Sequence, residues 1–285
     1  MWSGILLIIL FKRKKNMNIR LFLCCLLVGS TLFSCQKNDI TYDQNKKGSV
    51  KLKFDHIVSG KTLQLKTGEY SNSFNERYKI DILKYYISNI KLTNDQGKVF
   101  ILPKKESFFL IDTEKPSSLF PMFEVPEGNY TQLQFILGID EETSKSPAED
   151  RTGVLDIATS GMYWGWNSGY IFFKMEGTSD AVLNDRKRFA YHIGLFGGYD
   201  KPTKNNIKTI SLDLSKAGSA QVKAGFSSDI HLLVDIGQAL DGTNKISIAK
   251  NPMVMVSGPN DLIADNYKDM FRHDHTHNQQ KLSNE

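Results

Sequence analysis

The chain has 285 residues, of which 40% are hydrophobic, 11% aromatic and 24% charged. That composition excludes collagen-like, wholly disordered and polytopic membrane proteins, and the length suits one large all-β domain or two smaller ones. The formal charge of +5 belongs to the leader: Lys12, Arg13, Lys14, Lys15 and Arg20 lie in the first 34 residues without an acid, and the other 31 basic residues meet 31 acidic ones. A neutral remainder argues against a nucleic-acid binder.

The leader reads as a secretory signal. From Met17 a basic residue, Arg20, precedes a mainly apolar run from Leu21 to Phe33. The run is too short to span a bilayer and the right length for a signal-peptide core. It ends in Leu32-Phe33-Ser34-Cys35, which resembles a bacterial lipobox with Cys35 as the acylated residue, so residues 1–35 form the signal region. Met17 is the expected start, because Met1 to Asn16 adds only a short apolar patch and a basic cluster. Residues 36–48 are polar and charged and read as a tether, leaving 49–285 as a single domain. Cys24 and Cys25 leave with the signal and Cys35 takes the lipid. The mature domain then has no thiolate for a disulfide, a nucleophile or a metal.

The body predicts short strands. Ser49-Val50-Lys51-Leu52-Lys53-Phe54 alternates polar and apolar residues, as a half-buried strand does. Tyr78 to Leu92 is rich in β-branched and aromatic residues, Asn94-Asp95-Gln96-Gly97 signals a turn, and Val99 to Leu102 returns. Further strands are expected at 108–111, 130–137, 170–175, 207–214 and 230–236, with a turn at Pro126-Glu127-Gly128-Asn129 and an exposed polar loop from Asp140 to Arg151. Only Asp261 to Phe271 has helical spacing, with Pro259-Asn260 as its cap. The pattern gives an all-β, antiparallel β-sandwich with a short C-terminal helix and a tail.

Nothing in the sequence marks an enzyme: it has no phosphate loop, nucleophile elbow or HExxH. A carboxylate pair of the glycosidase type cannot be read from sequence, but Glu141, Glu142, Glu149 and Asp150 share one polar loop and read as solvated. The six histidines say more. His273, His275 and His277 alternate, so on an extended tail all three would face one ion, and on a helix only His273 and His277 would. A frayed tail is the other reading of that segment. His56 and His192, taken singly, read as strand-end histidines held by hydrogen bonds, and His231 opens an apolar run.

Gly161-Met162-Tyr163-Trp164-Gly165-Trp166-Asn167-Ser168-Gly169-Tyr170 gathers both tryptophans of the mature domain. With Phe54-Asp55-His56, Tyr85-Tyr86-Ile87-Ser88-Asn89-Ile90, Val125-Pro126-Glu127-Gly128-Asn129-Tyr130, Tyr191-His192-Ile193-Gly194 and Ile263-Ala264-Asp265-Asn266 leading to His275-Thr276-His277-Asn278, it resembles the MbnP family. These are copper-binding proteins encoded near methanobactin genes, and the resemblance runs from about Ser49 to Asn278. It implies a β-sandwich that holds copper through histidines: here His56, His192, His275 and His277, then His273, with His231 structural. It also implies oxidation of a tryptophan, Trp164 or Trp166, to kynurenine by a di-haem peroxidase-like partner of the MbnH type. Some relatives place that tryptophan two residues before a copper histidine, and this chain does not. The expected protein is thus a membrane-anchored envelope lipoprotein that binds copper for acquisition, storage or homeostasis. The alternative is a surface module for a glycan or peptide, with Trp164, Trp166 and Tyr170 as a stacking platform.

Overall fold

The computed structural model describes residues 40–165 and 167–282. The leader, Cys35 and Trp166 therefore lie outside the described residues. Fifteen strands are described. They are β1 (Lys47–Val58), β2 (Lys61–Thr62), β3 (Tyr70–Ser71), β4 (Arg77–Asn94), β5 (Val99–Ile101), β6 (Phe108–Asp112), β7 (Met122–Pro126) and β8 (Gly128–Leu137). β9 (Ile171–Ser179), β10 (Arg188–Gly194), β11 (Lys208–Asp213), β12 (Ala220–Val222), β13 (Phe226–Asp235), β14 (Met253–Val254) and β15 (Phe271–Lys281) follow. They form two sheets. The smaller runs β15-β13-β1-β2, with β7 also on β1, and the larger runs β11-β8-β4-β9-β10-β14, with β12 on β8 and β3, β5 and β6 on β4.

Alternation sets the core. In β1, Val50, Leu52, Phe54 and Val58 are buried while Lys51, Lys53 and Asp55 are only half-buried, as a strand with one solvated face requires. β13 repeats the pattern, with Ile230, Leu232 and Val234 buried between His231, Leu233 and Asp235. These inner residues pack with Tyr85, Phe135, Phe173 and Phe271 into one core. β4 is 18 residues long. A bulge near Asn89, whose φ is +54°, re-aims it so that β6, β8 and β9 can all pair with it. The predicted turn closes β4 onto β5: Asn94 Oδ1 accepts from the amides of Gln96 and Lys98, and Gly97 takes φ +77°.

The sandwich is not antiparallel throughout. β1 and β13 run parallel, from Ser49 opposite Ser227 to Ile57 opposite Asp235, and β10 and β14 also pair in parallel. Most of the larger sheet lies between β1 and β13 in the chain, long enough for the crossover that parallel pairing needs. The polar stretch Asp140 to Arg151 is not simply an exposed loop. Asp140 caps a short helix α1 (Glu141–Lys145) by accepting from the amide of Thr143. Arg151 is buried, its guanidinium donating to the carbonyls of Ser144 and Ser146 and to the hydroxyls of Tyr163 and Tyr199.

After α2 (Gln238–Asp241), the predicted C-terminal helix is present as two pieces, α3 (Asn260–Asp265) and α4 (Tyr267–Met270). Asn266 stands between them, its side chain donating to the carbonyls of Ala239 and Asn244 and accepting from the amide of Asn244. The tail beyond is not frayed. It is β15, an edge strand paired with β13 along most of its length and held to β12 by Asn278, which accepts from the amide of Gln221 and donates to the carbonyl of Ser219.

Candidate metal centre

The outer face of the smaller sheet carries three histidines that meet. His231 projects from β13 between the buried Ile230 and Leu232, so it points away from the core. Its partner across the ladder is His275, and His277 lies opposite Asp229 one pleat along. One nitrogen from each ring falls within 4.8 Å of the other two. His231 stacks on His275 with centroids 4.2 Å apart and planes at 29°, and His277 stands edge-on to both, at 80° and 78°.

The donor atoms suit a cation. His275 Nδ1 lies 2.8 Å from Asp274 Oδ2, a carboxylate that holds the proton on that nitrogen and leaves the Nε2 lone pair turned toward His277. His275 Nε2 and His277 Nε2 are 3.1 Å apart. Two nitrogens each about 2.0 Å from one ion stand about 2.8 Å apart at a right angle and about 3.3 Å apart at the tetrahedral angle, values that bracket this separation. The 78° between those rings lets one ion lie in both planes. His231, stacked on His275, has to swing about its side-chain bonds to aim a nitrogen the same way. Burial lowers the pKa of His231, and the neighbouring His275 and Lys53 lower it further against the opposing pull of Asp55. The ring is therefore held neutral, the form that binds metal.

The other expected ligands are elsewhere. His56 is on the inner face of β1, buried, with Nε2 2.8 Å from the hydroxyl of Tyr85. Burial lowers its pKa to about 4. His192 is on β10 in the larger sheet, with Nε2 2.8 Å from Glu176 Oε1. Burial lowers its pKa despite the carboxylate. His273 leaves the alternation because Asp274 is a bulge: His275 pairs with His231 but His273 pairs with Leu232. It turns with Thr276 to the other face, Nε2 2.9 Å from Thr276 Oγ1. The structure thus brings together His275 and His277 of the expected set, leaves out His56, His192 and His273, and adds His231, which the sequence reading had made structural. The signal for His231 was its place as an outward residue in an otherwise apolar alternation.

The tryptophan segment is a hairpin. Tyr163 bridges Tyr170, Gly165 and Gly169 take φ +81° and +71°, and a Cβ on Gly169 would meet the Phe196 ring at 2.8 Å. Asn167 ties the hairpin to the next loop, accepting from the amides of Tyr199 and Asp200 and donating to the carbonyl of Lys201. Trp164 is half-buried and packs over Gly194 at the end of β10. Tyr170 is fully buried, its hydroxyl donating to the Leu155 carbonyl, so it offers no face to a sugar ring.

Residues 47–256 match the model of the MbnP family. MbnP from Methylosinus trichosporium has a similar structure, with a TM-score of 0.50 over 71% of this chain and 80% of that one at 18% identity. That likeness is one of fold. No curated protein matches the chain. The family match takes in His56, Trp164, His192 and His231 and ends before β15, so two of the three clustered histidines lie beyond it. The match nevertheless covers most of the chain, all of the larger sheet and every strand of the smaller one except β15, and the protein is a member of the MbnP family.

Proposed function

We propose that this protein is a lipid-anchored, copper-binding protein of the cell envelope that serves copper acquisition, storage or homeostasis, and that it is not an enzyme. The observation that carries this reading is the convergence of His231, His275 and His277, with one nitrogen of each within 4.8 Å of the others. Family membership supports the choice of copper. The donor chemistry agrees, because divalent copper heads the stability series for nitrogen ligands. Zinc is the competitor at an imidazole site. Titration of the purified protein with divalent copper in the presence of equimolar zinc is expected to load one copper per chain. Binding should weaken as the solution is acidified, because protons compete with copper for the imidazole nitrogens. Absence of tight copper, or zinc held in its place, refutes the assignment.

Anchoring rests on the leader and Cys35. Each buried CH₂ of an acyl chain contributes roughly 0.8 kcal/mol, so two or more chains hold a protein to a membrane where one does not. Cys35→Ala is expected to move the protein into the soluble fraction or stall its processing. Membrane fractionation after normal processing would contradict the lipid anchor. Tryptophan oxidation by a di-haem peroxidase-like partner is a separable extension of the same reading. Trp164 packs on the larger sheet over Gly194, while the histidines sit on the outer face of the smaller one. Copper at the histidines therefore does not depend on it, and intact mass of native protein reads the modification directly.

A further inference from the structure

The chain enters the domain at one end of the sandwich, and from Tyr42 on it is fastened there. The amide of Asp43 donates to Glu127 Oε2, the side chain of Gln44 donates to the Glu127 carbonyl, and the Tyr42 ring lies 5.5 Å from Lys223 Nζ. Glu127 is buried and paired with Lys223 at 2.8 Å. At this end the start of β1 lies beside the start of β13 and the ends of β7 and β15, with Lys47 opposite Pro126, Ser49 opposite Ser227 and Phe226 opposite Lys281. Two apolar side chains stand out at the rim: Phe226 is 39% exposed and Leu282, next to Lys281, 43%. Lys47 and Lys281, which flank them, have no carboxylate partner among the described residues. The nearby acids are engaged or set back: Asp43 pairs with Lys46 at 3.9 Å, Asp95 accepts from Asn129, and Glu124 lies further along β7, opposite Ser49.

We infer that the sandwich stands end-on at the membrane, with Phe226 and Leu282 seated among the lipid headgroups and Lys47 and Lys281 on headgroup phosphates. The inference rests on the lipid anchor at Cys35 proposed above. Seven Cα-to-Cα steps separate Cys35 from Tyr42, a leash of at most about 25 Å when fully extended. β1 alone runs 12 residues, about 36 Å, to the far end where Val58 pairs with Lys61. A leash shorter than the strand rules out the inverted pose, with the far end on the bilayer and the fastened end above it. The apolar pair between two lysines then favours this end over a side face, because a lipid surface attracts buried apolar area and ammonium groups together. The histidine cluster lies further up the sheet. His231 is opposite Lys53, six residues beyond Lys47 and about 20 Å from the rim, which keeps the site open to the aqueous phase.

The test places a nitroxide label at either end. Phe226→Cys and Leu183→Cys are made separately in the full chain, where the remaining cysteine after processing is the acylated Cys35. Leu183 is fully exposed just past β9, whose last residue Ser179 lies opposite Tyr78 at the far end. The labelled lipoproteins are placed in vesicles of phosphatidylethanolamine and phosphatidylglycerol. Collisions with oxygen, which partitions into lipid, are compared with collisions with a water-soluble nickel chelate. The oxygen-to-nickel ratio is expected to be about threefold or more higher at 226 than at 183, and Lys47→Glu with Lys281→Glu should remove at least about half of that difference. Equal ratios, or a higher one at 183, overturn the end-on seating, and a ratio at 226 that ignores the lysine changes overturns the phosphate contacts. Protein that lacks the acyl group on Cys35 and stays free of the vesicles would instead remove the lipid-anchor reading, and this inference with it.

Discussion

Replacing His275 and His277 together by alanine is expected to lower divalent copper affinity by on the order of a hundredfold or more. Losing only a group that orients a metal ligand typically costs 10- to 100-fold, and this variant removes two ligands outright. His231→Ala should cost less than the pair, because the His275 and His277 nitrogens already stand 3.1 Å apart and His231 joins by rotation. His56→Ala and His192→Ala should leave copper affinity at the wild-type value, since one ring faces the core and the other sits on the opposite sheet. His277 is exposed and the His275 side chain is 42% exposed, so truncating that pair costs little stability, and lost binding would not be lost folding. Isothermal titration of the five proteins checks the set. Wild-type affinity in the double variant, or a large loss in His56→Ala with the fold intact, would displace the site from β15.

Much of this arrangement was legible in local pattern. Alternation in Val50 to Phe54 gave both the strand and its buried face, and Asn94 to Gly97 gave the turn that returns β4 on β5. The spacing of His275 and His277 put them on one side of an extended chain, where β15 has them. His231 was less legible because its role comes from register: which tail residue lies opposite it is decided by pairing between β13 and β15, far apart in sequence. The bulge at Asp274 is a non-local event of the same kind, and it turns an apparent triad in the tail into a pair plus an outlier. Tyr170 and Arg151 misled for a related reason. Arg151 sits in a polar stretch that reads as surface and Tyr170 closes an aromatic segment that reads as a stacking platform, and each is buried by partners from elsewhere in the chain, Tyr163 and Tyr199 for Arg151 and Tyr86 and Leu155 for Tyr170.

His56 carries the second large effect, on stability rather than binding. In the unfolded chain its imidazole takes a proton below about 6.5, whereas in the folded protein burial delays protonation to about 4. Between those values the unfolded state binds more protons, so stability is complete above about 6.5 and falls as pH drops toward 4. A shift of that size corresponds to about 3 kcal/mol by pH 4. His192, His231 and His273 have lowered pKa values as well and add to the same trend. The share of His56 is isolated by comparing metal-free wild type with His56→Gln, a neutral side chain that can still meet the Tyr85 hydroxyl. Urea unfolding at pH 7 and pH 4 is expected to show the wild type losing about 3 kcal/mol more than the variant across that interval. Equal losses in the two proteins would mean that His56 titrates normally in the fold and that its ring is not sealed against Tyr85.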